Sequence, residues 1–210
     1  MSLTLDDFLS NTDWSKINRK RKLLSTLREA YTCGVPAMVT KSLTDRLKVA
    51  GKYKFYLGTP PDILRRIASF LITEYNYKPK IIINLLPALW KRHGKEDAIL
   101  YGIILANINP KLLDENIWIF FSKSLRIQEP ADDIMSVCEE LIRATHSIPS
   151  EEILQKIFQK GLIHQQLVLF ILFQKYKKNT KLTKKELMMV EKCKGDNDLI
   201  LKIKAKILNN

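Results

Sequence analysis

Lys175, Lys177, Lys178, Lys181, Lys184 and Lys185 form a basic cluster that Lys192, Lys194, Lys202, Lys204 and Lys206 continue. A second, N-terminal cluster is made by Lys16, Arg19, Lys20, Arg21 and Lys22. Cations at this density neutralise phosphates and release counterions. If about five were neutralised, affinity would fall with roughly the fourth to fifth power of salt concentration. Lysines act as point charges and do not read base edges, so such binding is expected to be largely independent of sequence. Lys175, Lys177, Lys178, Lys206, Arg19 and Arg21 are the candidate contacts from the two clusters. The plainer reading is a solvated face of terminal helices. Arg65 and Arg66 are better placed for a specific phosphate, because they follow a Gly-Thr-Pro-Pro turn in the first turns of a helix whose free amides also attract anions.

The net charge of +13 and the isoelectric point near 9.6 point the same way, to a nucleic acid or an anionic membrane. Lys- and Ile-rich composition also arises in thermophiles and AT-rich genomes. Against this basic background, Glu129 to Glu152 is acidic, with Asp132, Asp133, Glu139, Glu140, Glu151 and Glu152 opposed by Arg143 alone. Asp132 and Asp133 stand just inside a helix opened by Pro130, where carboxylates complement the positive helix end.

Three cysteines (Cys33, Cys138, Cys193) and three histidines are scattered without ligand spacing, so neither a metal site nor a disulfide framework is expected. There is no glycine-rich nucleotide loop, and no cofactor is expected. The acidic N-terminus lacks the apolar run of a signal peptide, and the most apolar stretch, 162–173, is too short and polar to span a bilayer. A soluble protein of the reducing cytoplasm follows, with no membrane partner.

These side chains must be positioned by helices. With seven glycines the chain is poor in turn formers for a sandwich or a Rossmann fold, and apolar residues recur with helical period between prolines and glycines. Asp13 is a plausible N-cap for a helix through Trp14, Ile17, Leu23 and Leu27 that ends near Gly34, and Pro36 opens the next. Thr59 is expected to cap the helix starting at Pro60-Pro61. Further helices are expected from Pro79, after Gly94, from Pro110 through Trp118, from Pro130, from Pro149, after Gly161, after Thr183 and from about Asp198. Trp90 and Trp118 read as core, Trp14 as packing the N-terminal cap, and His93 as capping helix carbonyls. Roughly eleven helices with short connections, recurring in pairs of about 35 to 40 residues, match the period of HEAT-type repeats. The expected fold is therefore all-α: a superhelical solenoid of about five HEAT-like helix pairs forming one domain over 1–210. Within it, 1–52 would be an N-terminal helical cap and 53–210 the repeats. A globular helix bundle is the other reading.

Three stretches resemble the AlkD-like DNA alkylation repair family. Phe55-Tyr56-Leu57-Gly58-Thr59-Pro60-Pro61, followed by Arg65-Arg66, is similar to its early signature of an aromatic, a glycine turn and a proline opening a helix that carries arginines. Leu89-Trp90, with His93 and Glu96 behind it, resembles its Leu-Trp, polar turn and glutamate. The stretch 162–176 is similar to its fourth repeat. Together these cover about three quarters of the chain, from Phe55 onward.

The resemblance implies a concave basic groove that holds DNA by its backbone, and an N-glycosylase that releases alkylated purines. A carboxylate stabilises the developing sugar cation, and tryptophans cradle the cationic base. The family's Trp-Asp-x-x-Asp motif falls on Gln128–Ile134, where no tryptophan stands. Asp133 is nearest the catalytic aspartate, with Asp132 and Glu129 as alternatives. The second tryptophan falls on or beside Lys206, which would repel a cationic lesion, and the fourth-repeat arginine falls on or next to Gln166.

Three functions remain open at this point. The chain could be a DNA-binding protein on the family scaffold, for duplex or damaged DNA, with a degenerate glycosylase site. It could be an active N-glycosylase using Asp133 or Asp132. It could be a scaffold for a protein partner.

Overall fold

The computed structural model describes residues 4–49, 53–195 and 197–209, with side chains described at all of these except 47–49. Among them the chain forms twelve α-helices and no strand; Phe55 and Gly94 make one isolated parallel bridge. The packing divides the chain into two compact units, Met1–Leu112 and Leu113–Asn210.

The first unit contains α1 (Leu5–Asn11), α2 (Lys20–Thr32), α3 (Ala37–Val49), α4 (Pro61–Glu74), α5 (Pro79–Arg92) and α6 (Lys95–Asn107). Thr4 starts α1 by accepting the Asp7 amide at 3.2 Å. The indole N–H of Trp14 donates to the Leu9 carbonyl at 2.8 Å, so the ring is buried without an orphan donor. Leu23, Leu27, Ala30 and Tyr31 make the buried stripe of α2, which packs on α4 and α5. Helix α6 is different: Ala98 and 100–106 are all buried, as expected of a helix with apolar residues on every side, and α4 and α5 both pack on it. Trp90 meets Tyr101 edge-on at 5.0 Å.

The second unit contains α7 (Ile117–Ser124), α8 (Ala131–Arg143), α9 (Glu151–Phe158), α10 (Leu162–Lys177), α11 (Lys184–Lys192) and α12 (Asp198–Leu208). Its contacts fall in two layers. Helix α10 lies between α8 and α12, while α9 touches α7 on one side and α11 on the other. Like α6, α10 is surrounded, with Leu167 to Leu172 wholly enclosed. Each such leucine contributes about 2 kcal/mol by leaving water, before the entropy of ordering it is subtracted.

Three helix starts differ from expectation. Asp13 precedes only a single 3-10 turn, Trp14–Lys16, and caps no amide with its side chain, because its carboxylate is engaged by Lys16 at 2.7 Å and Ser15 at 2.5 Å; α2 begins later, at Lys20. Thr59 does not cap α4, since its hydroxyl donates to the Tyr31 carbonyl at 2.8 Å. Pro110 opens one 3-10 turn, and α7 starts instead where the Asn116 side chain accepts the Trp118 amide at 2.9 Å.

Candidate nucleic-acid interface

Helix α10 brings Phe173, Tyr176 and Lys177 to its last turn and then stops on Asn179, whose φ of 55° is left-handed. The stop is a Schellman turn: the Thr180 amide donates to the Lys175 carbonyl at 3.3 Å and the Asn179 amide to that of Tyr176 at 2.9 Å. Thr183 opens α11 with a reciprocal capping box, accepting the Glu186 amide while its own amide donates to the Glu186 carboxylate. The chain reversal between these two caps, closed by α12, leaves a cavity of about 610 Å³. Tyr176, Leu182, Leu187 and Ile207 give it apolar walls, and Lys177, Lys181 and Lys206 give it cations.

The aromatic residues organise the lysines. Phe173 and Tyr176 lie nearly parallel, with an interplanar angle of 13° and centroids 6.4 Å apart. The ammonium groups of Lys177 and Lys206, from α10 and α12, lie 5.6 and 5.8 Å from the Phe173 ring centre. Such contacts are individually worth about 0.5 to 1 kcal/mol at exposed sites, but they hold two cations on one ring. The other candidates from this cluster are placed differently. Lys175 is mostly buried and donates to both Glu186 oxygens at 2.7 Å, so it serves the fold. Lys177 also reaches Glu139 at 3.1 Å, a pair with both side chains about half exposed and correspondingly weak. Lys178 and Lys181 are exposed, with no ionic partner among the described residues.

Asp133 is only 3% exposed, at the third position of α8, while Asp132 beside it is exposed. Asp133 lies about 9 Å along the helix axis from Glu139, at the 1.5 Å rise of each residue. Gln166 is buried on α10, against Gly195. Asp132, Asp133, Glu139 and Gln166 do not line the cavity between α10, α11 and α12.

In the first unit the Phe55–Thr59 turn is held from below. One oxygen of Glu96 (Oε1) accepts the amides of Leu57 at 2.8 Å, Gly58 at 2.9 Å and Thr59 at 3.4 Å. The turn's own amides are therefore filled by a carboxylate of this chain and are not offered to a phosphate. Arg65 and Arg66 are exposed on α4, and Arg66 makes a salt bridge to Asp6 of α1 at 2.9 Å. Next to Glu96, Asp97 is wholly buried and accepts Arg92 Nε at 2.6 Å and the Tyr31 hydroxyl at 2.9 Å, while Arg92 also donates to the Leu24 carbonyl. Burial pushes the Glu96 carboxyl above the usual glutamate range, with the turn amides pulling against it. The Phe55 ring sits over Gly94 with the Arg28 and Arg92 guanidiniums 4.6 and 5.4 Å from its centre.

The N-terminal cluster lies at the start of α2. Arg19, Lys20, Arg21 and Lys22 are all exposed, at a helix end with neither a side-chain cap nor an acid in its first turn. Four cations at the positive end of a helix dipole repel it, and an anion placed there relieves both.

No family model, curated protein or solved structure matches this chain.

Other chemistry is thinly represented. The three cysteines are buried and free; burial raises all three thiols, that of Cys193 to about 11, so they are protonated at neutral pH and poor nucleophiles. No three His, Cys, Asp or Glu side chains gather among the described residues, and none of their helices is long and apolar enough to cross a membrane. Neither the role of Phe173 as the seat of two lysines nor that of Glu96 as the holder of the turn is legible in the sequence. An aromatic two residues before Lys175 and a glutamate behind Gly94 were the visible signals, but neither names its distant partner.

Proposed function

We propose that this chain is a DNA-binding helical-repeat protein, related to the AlkD-like alkylation repair proteins, that grips nucleic acid by its backbone and has lost the family's glycosylase site. The observation that carries the reading is the convergence of Lys177 and Lys206 on Phe173, beside a cavity that Lys181 also lines. Cations held at fixed positions around a cavity lose less freedom on meeting a phosphate than free surface lysines do. The uncapped, fourfold basic start of α2 supports the same reading. So does the charge of the first unit, which by sequence holds nineteen Lys and Arg against nine Asp and Glu, with Glu96 and Asp97 among those acids turned inward. The two-layer contacts of α7 to α12 fit a HEAT-like stacking of helix pairs into a solenoid.

Loss of catalysis is favoured by two placements. Asp133 is too enclosed to reach an anomeric carbon, and on the resemblance a lysine falls on or beside the position, at Lys206, where the family presents a tryptophan face to a cationic base. The test is fluorescence anisotropy on a labelled duplex at low and moderate salt, together with release of methylated purine from alkylated DNA. Duplex binding without base release is the expected pair of results. Release abolished by Asp133→Asn would instead establish the active glycosylase, and no binding at low salt would remove the DNA reading altogether.

A further inference from the structure

A lysine patch alone would serve any backbone phosphate, but the cavity between α10, α11 and α12 is more than a patch. Its volume of about 610 Å³ falls within the roughly 300 to 1,000 Å³ typical of small-molecule sites. Half of its wall is apolar, from Tyr176, Leu182, Leu187 and Ile207, and Asn179 and Thr180 place an amide and a hydroxyl beside that wall. A bare phosphate has no use for the apolar half, and an aliphatic chain has none for three ammonium groups. A ligand that satisfies both is a planar, apolar-faced ring bearing hydrogen-bonding edges and a phosphate.

From this juxtaposition we infer that the cavity takes a single unpaired nucleotide, its base against Tyr176 and its phosphate among Lys177, Lys181 and Lys206. The inference rests on the DNA-binding reading above but adds to it a preference for unpaired over fully paired ends. The site is built before any ligand arrives. The Schellman turn at Asn179 fixes where Tyr176 and Lys177 point, the capping box at Thr183 fixes the return of the chain, and Phe173 holds two of the three ammoniums. Lys177, in the last turn of α10, also offsets the negative carbonyl end of that helix, which would otherwise repel a phosphate. Stacking of one base on an aromatic ring should strengthen binding by about tenfold. Any base can supply it, so the site should not discriminate strongly among the four.

The same chemistry is presented by a free nucleoside monophosphate and by a nucleotide at a strand end, and the experiment separates them. Affinities are measured by anisotropy for a blunt duplex, for that duplex with one unpaired 3′ nucleotide, and for the same overhang with an abasic sugar. Titration calorimetry with dAMP and with inorganic phosphate runs alongside. The expected result is binding about tenfold tighter for the overhang with a base than for the abasic one, retained by Tyr176→Phe and removed by Tyr176→Leu, with circular dichroism reporting that both variants fold. If dAMP binds with the same dependence on residue 176 while the blunt duplex is not bound, the cavity is a free-nucleotide site: the inference about its ligand stands and the DNA reading fails. If the duplex binds but base and abasic overhangs bind equally, and dAMP binds no better than phosphate, the DNA reading stands and the inference is overturned.

Discussion

Glu96 and Gly58 stand 38 residues apart, and an oxygen of the one (Oε1) accepts the backbone amide of the other at 2.9 Å. Gly58 adopts a φ of +79°, and a side chain there would meet Leu43 at 2.7 Å, so the turn that Glu96 holds is also one that few residues could form. That turn sets where α4 begins and hence where Arg65 and Arg66 emerge.

Replacing Glu96 should therefore loosen the first unit. Glu96→Ala strands up to three amides in a buried place and is expected to cost about 3 kcal/mol in chemical denaturation. Glu96→Gln keeps one acceptor for the turn and is expected to cost about 1 kcal/mol. Equal losses would mean that the charge, and not the acceptor, holds the turn.

The same residue gives stability a pH dependence of defined sign. Burial raises the Glu96 carboxyl above its ordinary value of 4.5, so the folded chain holds this proton more tightly than the unfolded one. Its contribution is fully present below that ordinary value and is lost as pH rises through the raised one. Asp97 is shifted in the same direction by burial, with Arg92 opposing it. Denaturation midpoints measured from pH 4.5 upward should fall, and Glu96→Gln should flatten the fall. A midpoint that rises over this window in the parent and is unchanged in the variant would contradict the assignment.

Gly94 is a glycine for want of space, since its φ is an ordinary −88°. A Cβ there would lie 2.0 to 2.5 Å from the Phe55 ring, which is 2% exposed and flanked by Arg28 and Arg92. Gly94→Ala should cost about 3 kcal/mol or more by overpacking, read as a lowered thermal midpoint. A smaller partner should relieve it in part, so Phe55→Leu combined with Gly94→Ala should cost less than the sum of the two single changes.

Thr145 tests backbone strain directly. This β-branched residue ends α8 at a φ of 66°, in a Schellman turn closed by the His146 amide on the Leu141 carbonyl at 3.0 Å. It is exposed, so its side chain contributes little packing. Thr145→Gly should raise stability by about 1 kcal/mol, the strain relieved outweighing the added freedom of the unfolded chain. A loss of stability would mean that the threonine makes a contact outweighing its strain.

Local chemistry explains what the sequence disclosed and what it concealed. Pro61, Pro79, Gly161 and the Thr183 cap act within a turn or two of themselves, so the starts of α4, α5, α10 and α11 were readable, and α12 starts at Asp198, about where it was expected. Helix α1 has seven residues, too few to display a period, and was missed. Pro110 misled because a proline can open a 3-10 turn as readily as a helix, and the deciding cap was the Asn116 side chain. The candidate site was legible as charge but not as place. Nothing local distinguishes Lys175, which is spent on Glu186, from Lys206, which reaches across to Phe173. Burial also separates Asp133 from Asp132, and at the start of a helix only the facing partner decides which of two neighbouring acids turns inward.

The measurement that bears most directly on DNA binding is the salt dependence of affinity for a blunt duplex. The parent chain should bind at low salt and lose affinity linearly in logarithmic coordinates, with a slope of about −0.9 for each phosphate neutralised. Combining Lys177→Gln, Lys181→Gln and Lys206→Gln should make that slope shallower by about 2 to 3. A parent that fails to bind at low salt, or a slope unchanged by the three substitutions, would contradict the assignment of these lysines to a nucleic-acid backbone.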